Sequence, residues 1–317
     1  MKSYIGYSTD PDIRFKATSG GVGTSLIKWL FYKGIIETSI SFDFDSNSLR
    51  YVPKMIHSFS EYSICGSIYQ EIDLIGFIKS HLDEISGTFA CFTLPCQTRA
   101  VRTIIERAGH KAFIIGLTCS SQQTIDATKY LLKRVGISET DVNTLQYRGN
   151  GWPSGIQIET KDGRKIFVPN NNSIWTKIFH SRLFIRSKCF MCQDTLNKYC
   201  DLTLADPWLK RFSEDKIGKT LVLCNTDVGN TLLQQCANEK NLILDDIDYS
   251  EIVKSQKGTI LRKKSYHYVP NISKCYESIL KNKTYRHIMC TSVLFLFHCK
   301  LKDLVERYLS YKQIHTK

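Results

Sequence analysis

Cys189 and Cys192 lie three positions apart in Arg186-Ser187-Lys188-Cys189-Phe190-Met191-Cys192, and Cys200-Asp201-Leu202-Thr203-Leu204-Ala205-Asp206-Pro207-Trp208 follows closely. Two thiols at C-x-x-C spacing can serve one metal centre, because a metal takes up the charge of each thiolate and so lowers the cost of ionising it. One such pair gives two ligands, and a closed site needs two more from elsewhere in the chain. The same spacing also suits two buried, inert thiols packed as small hydrophobes. A thiol–disulfide pair is a third reading, but these cysteines lack the usual place early in a βαβ unit.

The elements that would supply further thiols lie upstream. Thr88 to Phe92 is a short apolar run that reads as a buried strand, and Leu94-Pro95-Cys96-Gln97 opens the helix after it, which Gly109 ends. Ala112 to Leu117 is a second buried strand and delivers Thr118-Cys119, with a helix over Thr124 to Val135 behind it. Strand and helix alternating at this spacing predict a parallel sheet with crossover helices. Ligands of such sheets gather at the carboxyl ends of the strands, where Cys96 and Cys119 both fall.

Ahead of this, Ser19-Gly20-Gly21 opens a helix with Leu26, Ile27 and Leu30 at helical spacing, Ser19 as its cap and Gly34 at its end. A glycine turn entering a helix N-terminus suits an anion, although neither a Walker pattern nor G-x-G-x-x-G after a strand is present. Ile35 to Phe42 reads as a strand and Gln70 to Ile85 as an amphipathic helix. Tyr147 to Gly155 is rich in turn residues, and Ile156 to Thr160 with Lys165 to Val168 forms a hairpin around Asp162-Gly163. Ser173 to Phe184 has helical spacing, Leu202 to Ala205 and Thr220 to Cys224 read as strands, and Gly229 to Ala237 as a helix. The expected class is α/β: a mixed, largely parallel sheet with crossover helices, plus a smaller α+β lobe carrying the C-x-x-C. The expected segments are 1–147, 148–240 and a mainly helical 241–317.

Composition narrows the class. A hydrophobic content of 42% and a charged content of 23% over 317 residues are those of a globular protein with material for a real core. The net charge is +13, but the basic residues read as scattered, without the aromatic-basic interleaving of a nucleic-acid module, so no nucleic-acid partner is expected. Twelve cysteines without an apolar leader fit a reducing cytoplasm better than a secreted disulfide scaffold. No apolar run reaches the roughly 18 residues of a membrane span; Ile288 to Cys299 is the nearest and suits a docked helix.

Several pieces occur together in one order: Ser19-Gly20-Gly21, Gly66-Ser67-x-Tyr69, Pro95-Cys96-Gln97, Gly116-Leu117-x-Cys119 and Arg148-Gly149-x-Gly151-Trp152-Pro153. Cys189-x-x-Cys192, Asp201-x-Thr203-x-x-Asp206-x-Trp208 and Thr220-Leu221-Val222-Leu223-x-Asn225-Thr226 follow. In these the chain resembles the beta subunit of coenzyme F420-reducing hydrogenase and its dehydrogenase relatives, which include plant chlorophyll reductases and bacterial proteins of polysaccharide biosynthesis. The resemblance implies an oxidoreductase that binds FAD and a [4Fe-4S] cluster and passes electrons between them and a small-molecule substrate. It assigns Cys96, Cys119, Cys189 and Cys192 to the cluster, with Cys200 as a spare candidate. It assigns Ser19, Gly20, Gly21, Gly66, Ser67 and Tyr69 to the flavin. Ile68 stands where relatives carry a lysine and Ala205 where they carry a glycine, which implies weaker flavin binding. The four-cysteine ferredoxin-like run of some relatives is missing, so a separate ferredoxin-like carrier protein is implied. No His/Asp/Glu constellation nominates itself as general acid or base, so no catalytic side chain is named. Zinc held by the same four thiols in a non-redox scaffold is the alternative.

Overall fold

The structure, a computed structural model, describes residues 2–315. The chain starts with β1 (Lys2–Ser8), α1 (Pro11–Lys16) and α2 (Val22–Tyr32), then the antiparallel pair β2 (Thr38–Asp45) and β3 (Arg50–Ile56). After α3 (Leu74–Ser80) come β4 (Thr88–Thr93), α4 (Pro95–Arg107), β5 (Lys111–Leu117) and α5 (Ile125–Arg134), the strand–helix alternation expected from the apolar runs. A three-stranded antiparallel sheet follows, made of β6 (Val142–Gln146), β7 (Gly155–Thr160) and β8 (Lys165–Pro169), the last two being the expected hairpin. Next are α6 (Ile174–His180), α7 (Ser187–Phe190), β9 (Leu202–Ala205), β10 (Thr220–Cys224), α8 (Asp227–Asn238) and β11 (Leu242–Asp246). Five helices close the chain: α9 (Tyr249–Ser255), α10 (Lys257–Tyr268), α11 (Pro270–Lys281), α12 (Lys283–Met289) and α13 (Ser292–His315).

The large sheet has the order β11-β1-β10-β9-β5-β4-β2-β3. Its centre, β9-β5-β4-β2, is parallel, and antiparallel strands extend it on both sides. Both faces are covered, as a parallel core requires. On one face Ala90, Phe113, Ile115 and Leu204 pack with Leu26, Ile27 and Leu30 of α2 and Leu233 of α8. On the other, Phe89, Cys91 and Ile114 pack with Ile78 of α3 and with Val101 and Ile105 of α4. Period-two alternation along β4 and β5 thus feeds two cores at once. A third core joins the small sheet, α5 and α6 to the C-terminal helices through Leu131, Trp175, Tyr266, Phe295 and others.

Several expectations need correction. β1 was not anticipated, yet it lies inside the sheet, with Tyr4 opposite Val222 and Ile5 opposite Asp245. The helix expected over Gln70 to Ile85 is only Leu74–Ser80, because the Gln70 side chain is tied to Tyr51 N (3.1 Å) and Leu49 O (2.6 Å) and holds its segment extended. The helix expected over Ser173 to Phe184 stops at His180, and Arg182 takes a left-handed backbone (φ 66°) just after it. The strand expected from Ile35 runs instead over Thr38–Asp45. The boundaries at 147 and 240 cut across the large sheet, which takes β9 and β10 from the second segment and β11 from the third. No helix among the described residues is long and apolar enough to cross a membrane.

Candidate functional site

The loop after β4, the loop after β5 and the C-x-x-C segment are stitched together by backbone and amide hydrogen bonds. Cys96 sits in the first turn of α4, on the surface. Cys119 lies just past β5, and its N–H donates to Thr195 O at 3.1 Å, three residues beyond Cys192. Arg186 N donates to Gln122 O (3.3 Å), which fixes the approach to Cys189. Asn197 completes the joint: its Nδ2 donates to Thr93 O (2.9 Å), and its Oδ1 accepts from Thr98 Oγ1 (2.6 Å), both at the β4–α4 corner that carries Cys96. The four thiols therefore come within electrostatic reach of one another. Burial pushes the Cys119 thiol up to about 12, Lys263 opposes this, and Cys189, Cys96 and Cys192 push it up further. Burial also raises Cys96, against the pull of Lys188.

Such thiols would need a strong electrophile to ionise at neutral pH, which is what a metal centre supplies. The cationic surroundings favour the same outcome. Lys263 of α10, only 2% exposed, donates from Nζ to Cys192 Sγ (3.3 Å) and Asp194 O (2.6 Å). Arg262 beside it reaches Ser120 O (2.9 Å) and Oγ (3.0 Å), next to Cys119. The sequence marks neither cation, since the pattern beyond residue 241 identifies helices but not what they face. Among the described residues, no three His, Cys, Asp or Glu side chains are gathered tightly enough for one metal ion. Cys200 is kept apart. Its Sγ donates to Asn197 O and Leu202 O (both 2.9 Å) beneath β5, where a Cβ on Gly116 would strike it.

Beside the thiols opens a cleft of about 610 Å³, within the usual ligand-binding range of about 300–1,000 Å³. Cys119 lines it, so cleft and thiol group share that residue. Ser19, Gly21, Gly66, Ser67 and Tyr69 line it as well, with the first turn of α2 (Val22, Gly23, Thr24) on the same wall. The cap of α2 is Gly21 rather than Ser19. Gly21 has φ 76°, and no side chain caps the first N–H groups, which stay available to an anion. Ser19 turns instead to Thr220 Oγ1 (3.1 Å). Gly20, unlike Ser19 and Gly21, is absent from the cleft wall. A Cβ there would lie 2.5 Å from Gly6 O and 2.7 Å from Thr220 N, so this glycine allows the turn to pack on β1 and β10, not a ligand to approach.

Arg148 explains why several of the sequence pieces occur together. It is fully buried, and Nη1 donates to Tyr69 OH (3.1 Å) and Asp206 Oδ2 (3.1 Å) while Nη2 donates to Thr18 O (3.2 Å). Its guanidinium lies 5.2 Å from the Trp152 ring centre and 5.6 Å from that of Trp208. Gly66 has φ 67° and no room for a Cβ against Arg148 O. One side chain thus holds together the turn before α2, Gly66-Ser67-x-Tyr69, the Trp-Pro turn and Asp206-Pro207-Trp208.

Two family models, for the N-terminal and C-terminal parts of the "Coenzyme F420 hydrogenase/dehydrogenase, beta subunit", match residues 3–79 and 87–250 respectively. The chain belongs to the coenzyme F420 hydrogenase/dehydrogenase beta subunit family. It is therefore related to redox enzyme subunits and falls among oxidoreductases. A chain of the F420-reducing [NiFe] hydrogenase complex from Methanosarcina barkeri, solved in a xenon-derivatised form, superposes with a TM-score of 0.64 at 19% identity. That match covers 83% of this chain and 90% of the other, and at this identity it speaks for the fold. No curated protein matches. The family matches take in all four thiols, the α2 turn and Arg148, and they end before α10, so Arg262 and Lys263 lie outside the matched stretch.

Proposed function

We propose that this protein is an iron–sulfur flavoprotein oxidoreductase. Cys96, Cys119, Cys189 and Cys192 would hold a [4Fe-4S] cluster, and the cleft beside them would hold FAD. The observation that carries the reading is the position of Cys119, which belongs both to the thiol group and to the cleft wall. A flavin in the cleft would lie next to the cluster, so electrons could pass without a mobile carrier between them.

Four cysteine thiolates are the ligand set of a [4Fe-4S] cube, one to each iron, and zinc held by the same four thiols is the competing reading. For the flavin, the uncapped N–H groups of α2 suit a phosphate, and Ser67 and Tyr69 stand on the cleft wall to meet the rest. When bound, the two groups supply one-electron and hydride chemistry. The chain's own residues do the positioning: Asn197 and Thr195 hold the thiol loops together, Arg148 holds the cleft walls, and Lys263 donates to Cys192. The substrate would be a small molecule entering the cleft, and a sugar-linked one in glycan biosynthesis is consistent with the bacterial relatives. A separate ferredoxin-like protein would deliver or remove electrons at the surface near Cys96.

The test is a set of Cys→Ser variants assayed for iron, with FAD titrated by fluorescence quenching. Each of Cys96, Cys119, Cys189 and Cys192 should lose iron on replacement, while Cys200→Ser and Cys236→Ser should keep it. Ser67→Asp adds a negative charge to the cleft wall and should weaken FAD binding without changing iron. Iron retained in Cys119→Ser, or FAD binding untouched in Ser67→Asp, would break the assignment of that site.

A further inference from the structure

The basic residues are not evenly scattered. From residue 257 onward there are thirteen Lys and Arg against three Asp and Glu, so +10 of the chain's +13 lies in the last fifth of the sequence. The longest helix of this region, α13, has two contrasting faces. Its inner face buries Phe295, His298, Lys302 and Leu309, and Glu306 pairs there with Arg182 (2.9 Å). Its outer face carries Val293, Phe297, Leu301 and Leu304, which are 77%, 59%, 42% and 62% exposed. Steps of four, four and three residues place these side chains in one stripe along the helix. Lys300 and Arg307 fall along the margin of that stripe, both exposed and without an ion-pair partner among the described residues. Asp303 is the exposed acid of this helix; it lies beyond that cationic margin and pairs with Lys302.

We propose that the outer face of α13 docks on an anionic bilayer surface. The apolar stripe would enter the boundary between headgroups and acyl chains, and Lys300 and Arg307 would meet lipid phosphates. An amphipathic helix with an apolar stripe and a basic margin binds membranes this way, lying in the interface rather than crossing it. The charge argues against a second copy as the occupant. Pairing two α13 helices along the stripe would bring Lys300 and Arg307 of both copies, and two regions of charge +10, against each other. The proposal is independent of the redox assignment.

The experiment is co-flotation of the full-length protein with vesicles of phosphatidylcholine alone and of phosphatidylcholine mixed with phosphatidylglycerol. The wild type should bind the phosphatidylglycerol vesicles at least tenfold more tightly, and added salt should weaken that binding. Phe297→Glu with Leu304→Glu should lose at least tenfold, as should the charge variant Lys300→Glu with Arg307→Glu. All four positions face outward, so circular dichroism should report an unchanged fold, and the charge variant still decides the matter if the apolar one fails to fold. The proposal is overturned if the wild type does not bind the phosphatidylglycerol vesicles, or if properly folded variants bind them as well as the wild type. It is equally overturned by a wild-type dimer in solution that Phe297→Glu with Leu304→Glu dissolves, which would make a second copy the occupant.

Discussion

Replacing Arg148 with methionine should destabilise the protein by about 3 kcal/mol, the low end of the roughly 3–5 kcal/mol for breaking a buried ion pair from one side. Arg148 is fully buried and Asp206 is 22% exposed. Burial works against the guanidinium's charge, but Tyr69 and Asp206 hold it firmly protonated. Methionine would fill most of the space between Trp152 and Trp208 but leave Asp206 Oδ2, Tyr69 OH and Thr18 O without their donor. Asp206 can recover part of its hydration at the surface, which is why the low end applies. The assay is urea unfolding at neutral pH of wild type, Arg148→Met, Asp206→Asn and the double variant. The single variants should couple by about 2 kcal/mol, as groups in one buried network do. Additivity within about 0.5 kcal/mol, or an Arg148→Met protein within about 1 kcal/mol of the wild type, would refute the view that this residue ties the cleft walls together.

Two further outcomes follow from the C-terminal helices. Burial alone would raise the Glu306 carboxyl, but Arg182 and Lys302, with hydrogen bonds from Tyr266 and Arg182, hold it down at about 2. A carboxyl depressed on folding stabilises the native state above its unfolded value, and here about 3 kcal/mol should be lost as pH falls from about 4.5 through about 2. Glu306→Gln should flatten that acid limb, measured by thermal melts across the pH range, and leave Arg182 buried and unpaired at neutral pH. Lys263→Met removes a cation and an N–H···S bond from Cys192, so the proposed cluster would become harder to reduce, with a midpoint potential lower by about 60 mV, or one tenfold step for a one-electron couple. Electron paramagnetic resonance during redox titration reads this directly, and an unchanged potential at full iron content would mean that Lys263 serves only to hold α10 in place.

The parts of the fold legible in the sequence are those where one local signal decides the structure. Phe89–Phe92 and Ala112–Leu117, within β4 and β5, are continuous runs without a charged or polar side chain because both faces of their strands are covered. The hairpin was marked by Asp162-Gly163. β1 carries no strand signal of its own because Lys2–Ser8 mixes small polar residues with Tyr4 and Ile5, and its place is fixed by β10 and β11, more than two hundred residues away. The cysteines of the candidate site could be read, but not what joins them. Asn197 and Thr195 are ordinary loop residues in the sequence, and only the fold brings them to the β4–α4 corner and to Cys119. Gly20 shows the opposite error: a glycine read as ligand-facing is required by neighbouring backbone. Lys263 and the α13 stripe lay where the pattern showed helices without showing which face each would present.

The most direct measurement of the central claim is the visible spectrum of anaerobically purified protein, with iron, sulfide, zinc and flavin counted on the same sample. The account predicts a brown protein with about four iron and four acid-labile sulfide per chain, able to take up FAD. A colourless protein carrying stoichiometric zinc and no iron, with no saturable FAD binding, would contradict it.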